Sequence, residues 1–139
     1  MWLYNGVEIC TLPDFIIGFV YEITNNTTGK KYIGKKLTKF SKIKYKTVVQ
    51  KNGFKKKKKI RFKVDSDWRE YYGSNIELNN DVQKLGVDAF ERNILHFCYS
   101  KAECSYLELK EQVLRNVLES DLYYNGIIQV RIHKKHILT

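Results

Sequence analysis

Phe15-Ile16-Ile17-Gly18-Phe19-Val20-Tyr21-Glu22-Ile23-Thr24 is apolar and rich in β-branched residues, and its second half reads as a strand. Asn25-Asn26-Thr27-Thr28-Gly29 is a turn by composition. Lys30 to Lys36 returns as a second strand, so the pair is predicted as a hairpin. Side chains alternate along a strand, so along the first strand Phe19, Tyr21 and Ile23 share a face, and along the second Tyr32, Gly34 and Lys36 share one. One register sets Tyr21 directly opposite Tyr32. A slip by one residue separates them. Two strand tyrosines can serve packing alone, but Gly34, just beyond Tyr32, suits a backbone that lies close to a ligand.

The hairpin opens a one-signed stretch. Sixteen of the 25 Lys and Arg residues lie between Lys30 and Lys63, with no Asp or Glu among them. The rest of the chain holds nine basic against 15 acidic residues, so the net +10 is one concentrated field. Solvated surfaces normally mix both signs; this one points to a phosphate backbone. Residues 37–64 read as a basic β-ribbon or flexible arm. Asn52-Gly53 is a hairpin signal, and Ile60-Arg61-Phe62-Lys63-Val64 alternates as a strand does. The run Lys55, Lys56, Lys57, Lys58, Lys59 repels itself without a polyanion, so poor order is expected of the arm alone. With Lys35, Lys36 and Arg61, these are the candidate nucleic-acid contacts, giving steep salt dependence and little sequence information. Phe54, Phe62 and nearby tyrosines are placed to stack on bases or to pack.

A chain of 139 residues predicts one domain, 1–139, with a real core. No apolar run is long enough to span a bilayer. Met1-Trp2-Leu3-Tyr4-Asn5-Gly6 has neither a basic n-region nor an apolar h-region, so no signal peptide is expected and a cytoplasmic location is. Cys10, Cys98 and Cys104 form no Cys-x-x-Cys, which suits a reducing compartment and buried free thiols. Three His, two of them in the tail, argue against a Cys/His zinc site. Trp2 to Cys10, with a turn at Asn5-Gly6, reads as an N-terminal extension set off by Pro13.

Two capping boxes mark the helices. Ser74 with Glu77 opens one that carries Leu78, Val82 and Leu85 and ends at Gly86. After a strand near Asn93 to Cys98, Ser100 with Glu103 opens the longest, to about Leu118. Its apolar stripe is predicted as Tyr106, Leu107, Leu109, Val113, Leu114, Val117 and Leu118. On that wheel Glu103 serves the cap and Glu108 points away from the stripe into solvent. Glu111 sits at the stripe's edge, between Leu107 and Leu114. A carboxylate there needs a partner: a divalent cation, or a Lys if it merely snorkels. Asn125-Gly126 reads as a tight turn, and Ile127 to Ile132 as a last strand before the basic tail, within 126–139. The element order predicts an α+β fold, a mostly antiparallel sheet with helices packed on it.

Phe19-Val20-Tyr21 followed by Tyr32-Ile33-Gly34 resembles the paired motif of the GIY-YIG nucleases. The later helix, strand, Glu-bearing helix and Tyr124-Asn125 extend the resemblance over about residues 18–125, with 37–64 as an insertion. It is nearest to small standalone members of the kind phages carry, which implies host cytoplasm. It implies a three-stranded antiparallel sheet flanked by helices, and metal-dependent hydrolysis of DNA phosphodiesters with Mg²⁺ or Mn²⁺. By resemblance Tyr21, Tyr32, Glu111 and Asn125 are the site, and Glu111 holds the metal. The family's first motif usually has Gly where Phe19 stands, and its helical Arg is displaced by the insertion. Arg69 is the best candidate for that Arg, and Lys36 the runner-up. In the mechanism this implies, Tyr21 is a general base with lowered proton affinity, and Arg69 or Lys36 neutralises developing charge. Double-stranded DNA is the expected partner, for a monomer or homodimer. The competing readings are a non-catalytic nucleic-acid-binding protein and a structural protein with an acidic partner.

Overall fold

The computed structural model describes residues 1–137; the last two residues of the expected tail lie outside the described part. The fold is α+β, with a five-stranded sheet, a two-stranded sheet and two α-helices. The main sheet joins β1 (Trp2–Tyr4), β2 (Val7–Ile9), β3 (Gly18–Asn25), β4 (Lys31–Leu37) and β7 (Phe90–Cys98), in the order β2-β1-β7-β3-β4. Between β4 and β7 come the ribbon strands β5 (Lys39–Val49) and β6 (Lys55–Asp65) and helix α1 (Ile76–Leu85). Helix α2 (Lys101–Leu114) follows β7.

The three antiparallel strands β4, β3 and β7 are present, but the sheet is larger than expected because the N-terminus belongs to it. Asn5 and Gly6 take φ of 50° and 80° and turn a hairpin, whose β1 pairs in parallel with β7. Trp2 causes this. It is 1% exposed, meets Phe19 and Tyr21 edge-on at 4.9 and 5.2 Å, and donates its indole N–H to the Trp68 carbonyl at 2.7 Å. A segment that reads as an extension thus adds two strands to the sheet and places Trp2 in the core.

β3 lies mid-sheet with both faces covered, which is why it is buried almost throughout. Phe19, Tyr21 and Ile23 pack with Trp2, Trp68 and Leu78 on one side. Val20 packs with Ile33, Cys98, Cys104 and Val117 on the other, under α2. Cys98 and Cys104 are buried thiols as expected, whereas Cys10 is exposed.

The helix ends differ in detail from the sequence reading. Asn75, not Ser74, caps α1, its side chain accepting the Leu78 N–H at 2.9 Å. Gly86 ends α1 at φ 85°. Ser100 caps α2 as expected, accepting the Glu103 N–H at 3.1 Å. The helix stops at Leu114 rather than Leu118, because Asn116 turns left-handed (φ 53°) into the 3-10 turn Val117–Glu119. The buried positions of α2 are Cys104 and Gln112, while Val113, Leu114 and Leu118 are exposed, so the true stripe is rotated from the predicted one. No strand forms at 127–132, since residues 122–125 already occupy the outer edge of β4. The Lys31 N–H donates to the Leu122 carbonyl at 2.8 Å and the Tyr124 N–H to the Lys31 carbonyl at 2.7 Å.

The insertion is a regular ladder, from Lys39 opposite Asp65 to Val49 opposite Lys55, closed by a loop in which Gly53 takes φ 84°. Its root is held by two hydroxyls. Thr38 donates to the Ile16 carbonyl at 2.7 Å and Ser66 to the Leu37 carbonyl at 2.6 Å. Truncating a buried Trp typically costs about 3–5 kcal/mol. Trp2→Ala is therefore expected to lower stability by about that much in urea denaturation. A loss below about 1 kcal/mol would return the N-terminus to the status of an appendage.

Candidate active site

The register of the first hairpin makes the site. Tyr21 lies opposite Gly34, and Ile23 opposite Tyr32. This is two residues from the expected register, and a two-residue shift keeps every side chain on its face. Tyr21 and Tyr32 remain diagonal neighbours, with ring centroids 6.1 Å apart. Gly34 allows it. A Cβ there would stand 2.7 Å from Tyr21 Cζ, 2.9 Å from Tyr32 Cε1, and nearer still to the Tyr21 hydroxyl. Tyr71 closes the group from the segment before α1, edge-on to Tyr21 at 6.1 Å.

Beside this cluster, at the outer edge of β4, is a cleft of about 460 Å³. Tyr32, Ser74, Glu108, Gln112 and Asn125 line it. The Tyr32 hydroxyl meets Ser74 Oγ at 3.2 Å. Asn125 is buried and acts as a substitute strand rather than as a turn: it accepts the Ile33 N–H at 3.0 Å and donates to the Ile33 carbonyl at 2.8 Å. Gln112 donates to the same carbonyl at 3.2 Å. Both side chains thus fix the strand that carries Tyr32 and Gly34.

The protonation states follow from burial. Tyr21 is held well above the ordinary tyrosine range, first by burial and then by the neighbouring Tyr71, Tyr32 and Glu108. No lysine gives the expected lowering: every group acting on Tyr21 raises it. Lys36 pairs with Asp67 at 2.7 Å and lies over the Tyr71 ring at 4.0 Å. Lys35 is hydrogen-bonded to Ser105 Oγ. Tyr32 is raised too, by burial, with the Ser74 hydrogen bond opposing.

The two carboxylates of α2 have opposite surroundings. Glu111 accepts from Arg115 Nε at 2.8 Å and is 2.7 Å from His96 Nε2, while Arg115 also reaches Glu22 at 2.6 Å. Burial works to raise Glu111, but Arg115 and His96 together hold it below the usual carboxylate range. Glu108 is not the solvated residue expected of it. It is half-buried at the cleft, and burial raises it above the usual carboxylate range, with Lys35 opposing. Glu108 lies four residues from each buried position of α2, Cys104 and Gln112. That spacing is the signal the apolar pattern obscured. Tyr71 and Ser74 carried no comparable signal.

Arg69 is not brought to the tyrosines. Its Nε donates to the Cys10 carbonyl at 3.1 Å and its guanidinium stacks on Trp68 at 4.5 Å. Lys55 to Lys59 and Arg61 stand exposed on β6, alternating between the two faces of the ribbon. No helix among the described residues is long and apolar enough to cross a membrane. Nor do three or more His, Cys, Asp or Glu side chains among them form a metal-holding group.

Comparison with known proteins agrees with this geometry. The family model described as "Putative endonuclease segE, GIY-YIG domain" matches residues 2–128, a span that includes the N-terminal hairpin and the ribbon. No curated protein and no solved structure matches the chain. With a tyrosine pair over a glycine on adjacent strands and a family match over most of its length, the chain belongs to the GIY-YIG nuclease family.

Proposed function

We propose that the protein is a metal-dependent DNA endonuclease whose reacting phosphate sits in the cleft beside Tyr32 and Glu108. One observation carries the reading. Glu108 is a partly desolvated carboxylate at the paired tyrosines, and it has no ion pair among the described residues. Burying such a group is costly unless something compensates it. Its oxygens suit Mg²⁺ or Mn²⁺, hard cations commonly held by one or two carboxylates together with substrate phosphates. Glu108, rather than Glu111, would hold the ion; Glu111 is committed to Arg115 and His96. A bound ion supplies Lewis-acid stabilisation of the phosphate charge.

The chain's own groups do the rest. The Tyr32 hydroxyl, oriented by Ser74, faces the cleft and positions the attacking water. Tyr21 keeps its proton at neutral pH, so it acts as a positioning donor beneath Tyr32 and not as a base. Asn125 holds the backbone under the site. Lys36, over Tyr71, is the expected cation closest to the tyrosines and offsets developing negative charge. Cleavage leaves the alternative, a non-catalytic nucleic-acid-binding protein, without support; tight binding with no cleavage in either metal would establish it.

Three outcomes are expected. In Mg²⁺ or Mn²⁺, Glu108→Gln slows plasmid cleavage at least ~100-fold, while Glu111→Gln retains metal-dependent cleavage but melts at lower temperature. The reverse pattern would move the metal to Glu111. A carboxyl raised on folding favours the folded state below its unfolded pKa, and that contribution is lost as pH rises through the folded value. Glu108→Gln therefore raises the melting temperature at neutral pH relative to wild type, and not near pH ~4. No gain at neutral pH would mean the carboxylate is not desolvated. Gly34→Ala is expected to cost about 1–3 kcal/mol by overpacking against Tyr21 and to abolish cleavage; an active, stable variant would contradict the packed tyrosine arrangement.

A further inference from the structure

The ribbon has two faces that the sequence alone does not distinguish. Lys36 lies over the Phe40 ring at 5.0 Å as well as over Tyr71, so the Phe40 face of the ribbon continues the face of β4 that carries Tyr32. By the ladder, Lys42, Lys44, Lys46, Lys56 and Lys58 stand on this face. Lys39, Lys55, Lys57, Lys59, Arg61 and Lys63 stand on the other. There Lys39 faces Asp65 and each of the rest faces an uncharged residue, so no two cations are paired. On the Phe40 face Lys46 lies directly opposite Lys58, the ribbon's one lysine–lysine pair. Like charges at such a position destabilise a ladder. A polyanion on that face removes the cost.

Length and anchoring add to this. Each strand has 11 residues, a span of about 35 Å at about 3.3 Å per residue. One turn of duplex DNA is about 34–36 Å long, and its major groove admits a two-stranded ribbon. The root is pinned beside the site by two hydroxyls, Ser66 bonded to the Leu37 carbonyl of β4 and Thr38 to the Ile16 carbonyl just before β3. We propose that the Phe40 face of the ribbon grips double-stranded DNA over about one helical turn to one side of the cleft, at an offset fixed by the root. The identity of the polyanion rests on the nuclease reading; the grip itself is tested without cleavage.

The test is binding of a fluorescent 24-base-pair duplex in EDTA, measured by anisotropy across a salt series. Two triple variants are compared. Lys42→Gln, Lys44→Gln and Lys46→Gln remove three cations from the Phe40 face, whereas Lys57→Gln, Lys59→Gln and Arg61→Gln remove three from the opposite face at the same level. The first is expected to weaken binding at least ~10-fold at physiological salt and to flatten the slope of log K against log salt by about 2.7, at about 0.9 for each phosphate no longer neutralised. The second is expected to lose less than ~3-fold. The triplets remove equal charge at the same level of the ribbon, so each controls for folding of the other, and Lys→Arg at 42, 44 and 46 is expected to restore binding. Equal losses, a larger loss from the second triplet, or wild-type affinity for single-stranded DNA of the same length would overturn the proposal. Because EDTA prevents cleavage, a failed nuclease reading leaves this result interpretable.

Discussion

The ring of Tyr21 passes over a position that has no side chain. That close approach, Tyr21 across Gly34, fixes the register of β3 on β4 and with it the placement of the site. Any Cβ at 34 would collide with a residue that is 1% exposed and cannot yield. Because the hydroxyl end of Tyr21 is carried toward β4, Tyr32 and Tyr71 gather around it, and the cleft forms at the β4 edge. The outer edge of that strand is then sealed by residues 122–125, so the exposed ladder of an edge strand becomes a wall of the cleft.

The sheet separates two kinds of electrostatics. Where α2 covers β3 and β7, Glu22, Arg115, Glu111 and His96 form a closed chain of pairs with each carboxylate compensated. One turn earlier on the same helix, Glu108 is also drawn out of bulk water yet has no ion pair among the described residues, only the charge of Lys35 and a hydrogen bond from its backbone. The same residue type on the same helix therefore carries opposite shifts, set by partners and not by chemistry. A half-buried carboxylate without an ion pair is a cost the fold bears, and such costs concentrate where a ligand is bound.

Much of this was legible in the residues. The hairpin, the two faces of its strands, the Ser100 cap and the Gly86 stop all follow from local chemistry, which acts over a few residues. What failed was tertiary. Trp2 looked peripheral because nothing near it in sequence shows that Trp68 and Phe19 wait for it. Glu108 looked solvated because Val113 and Leu114 drew the stripe toward themselves, although both are exposed and the true contacts run through Cys104 and Gln112. Asn125 looked like a turn residue, yet its amide pairs with Ile33, 92 positions away. The ribbon was visible as charge and alternation, but its faces became distinct only once the register was known.

The central claim is that Glu108 is the protein's metal-holding group for cleavage of DNA. The most direct measurement is anomalous diffraction from crystals grown with Mn²⁺ and a non-hydrolysable duplex. A manganese peak within coordination distance of the Glu108 carboxylate and a DNA phosphate is the predicted result. A peak at Glu111, with Arg115 and His96 displaced from it, or DNA seated away from the Tyr32 cleft, would contradict the account.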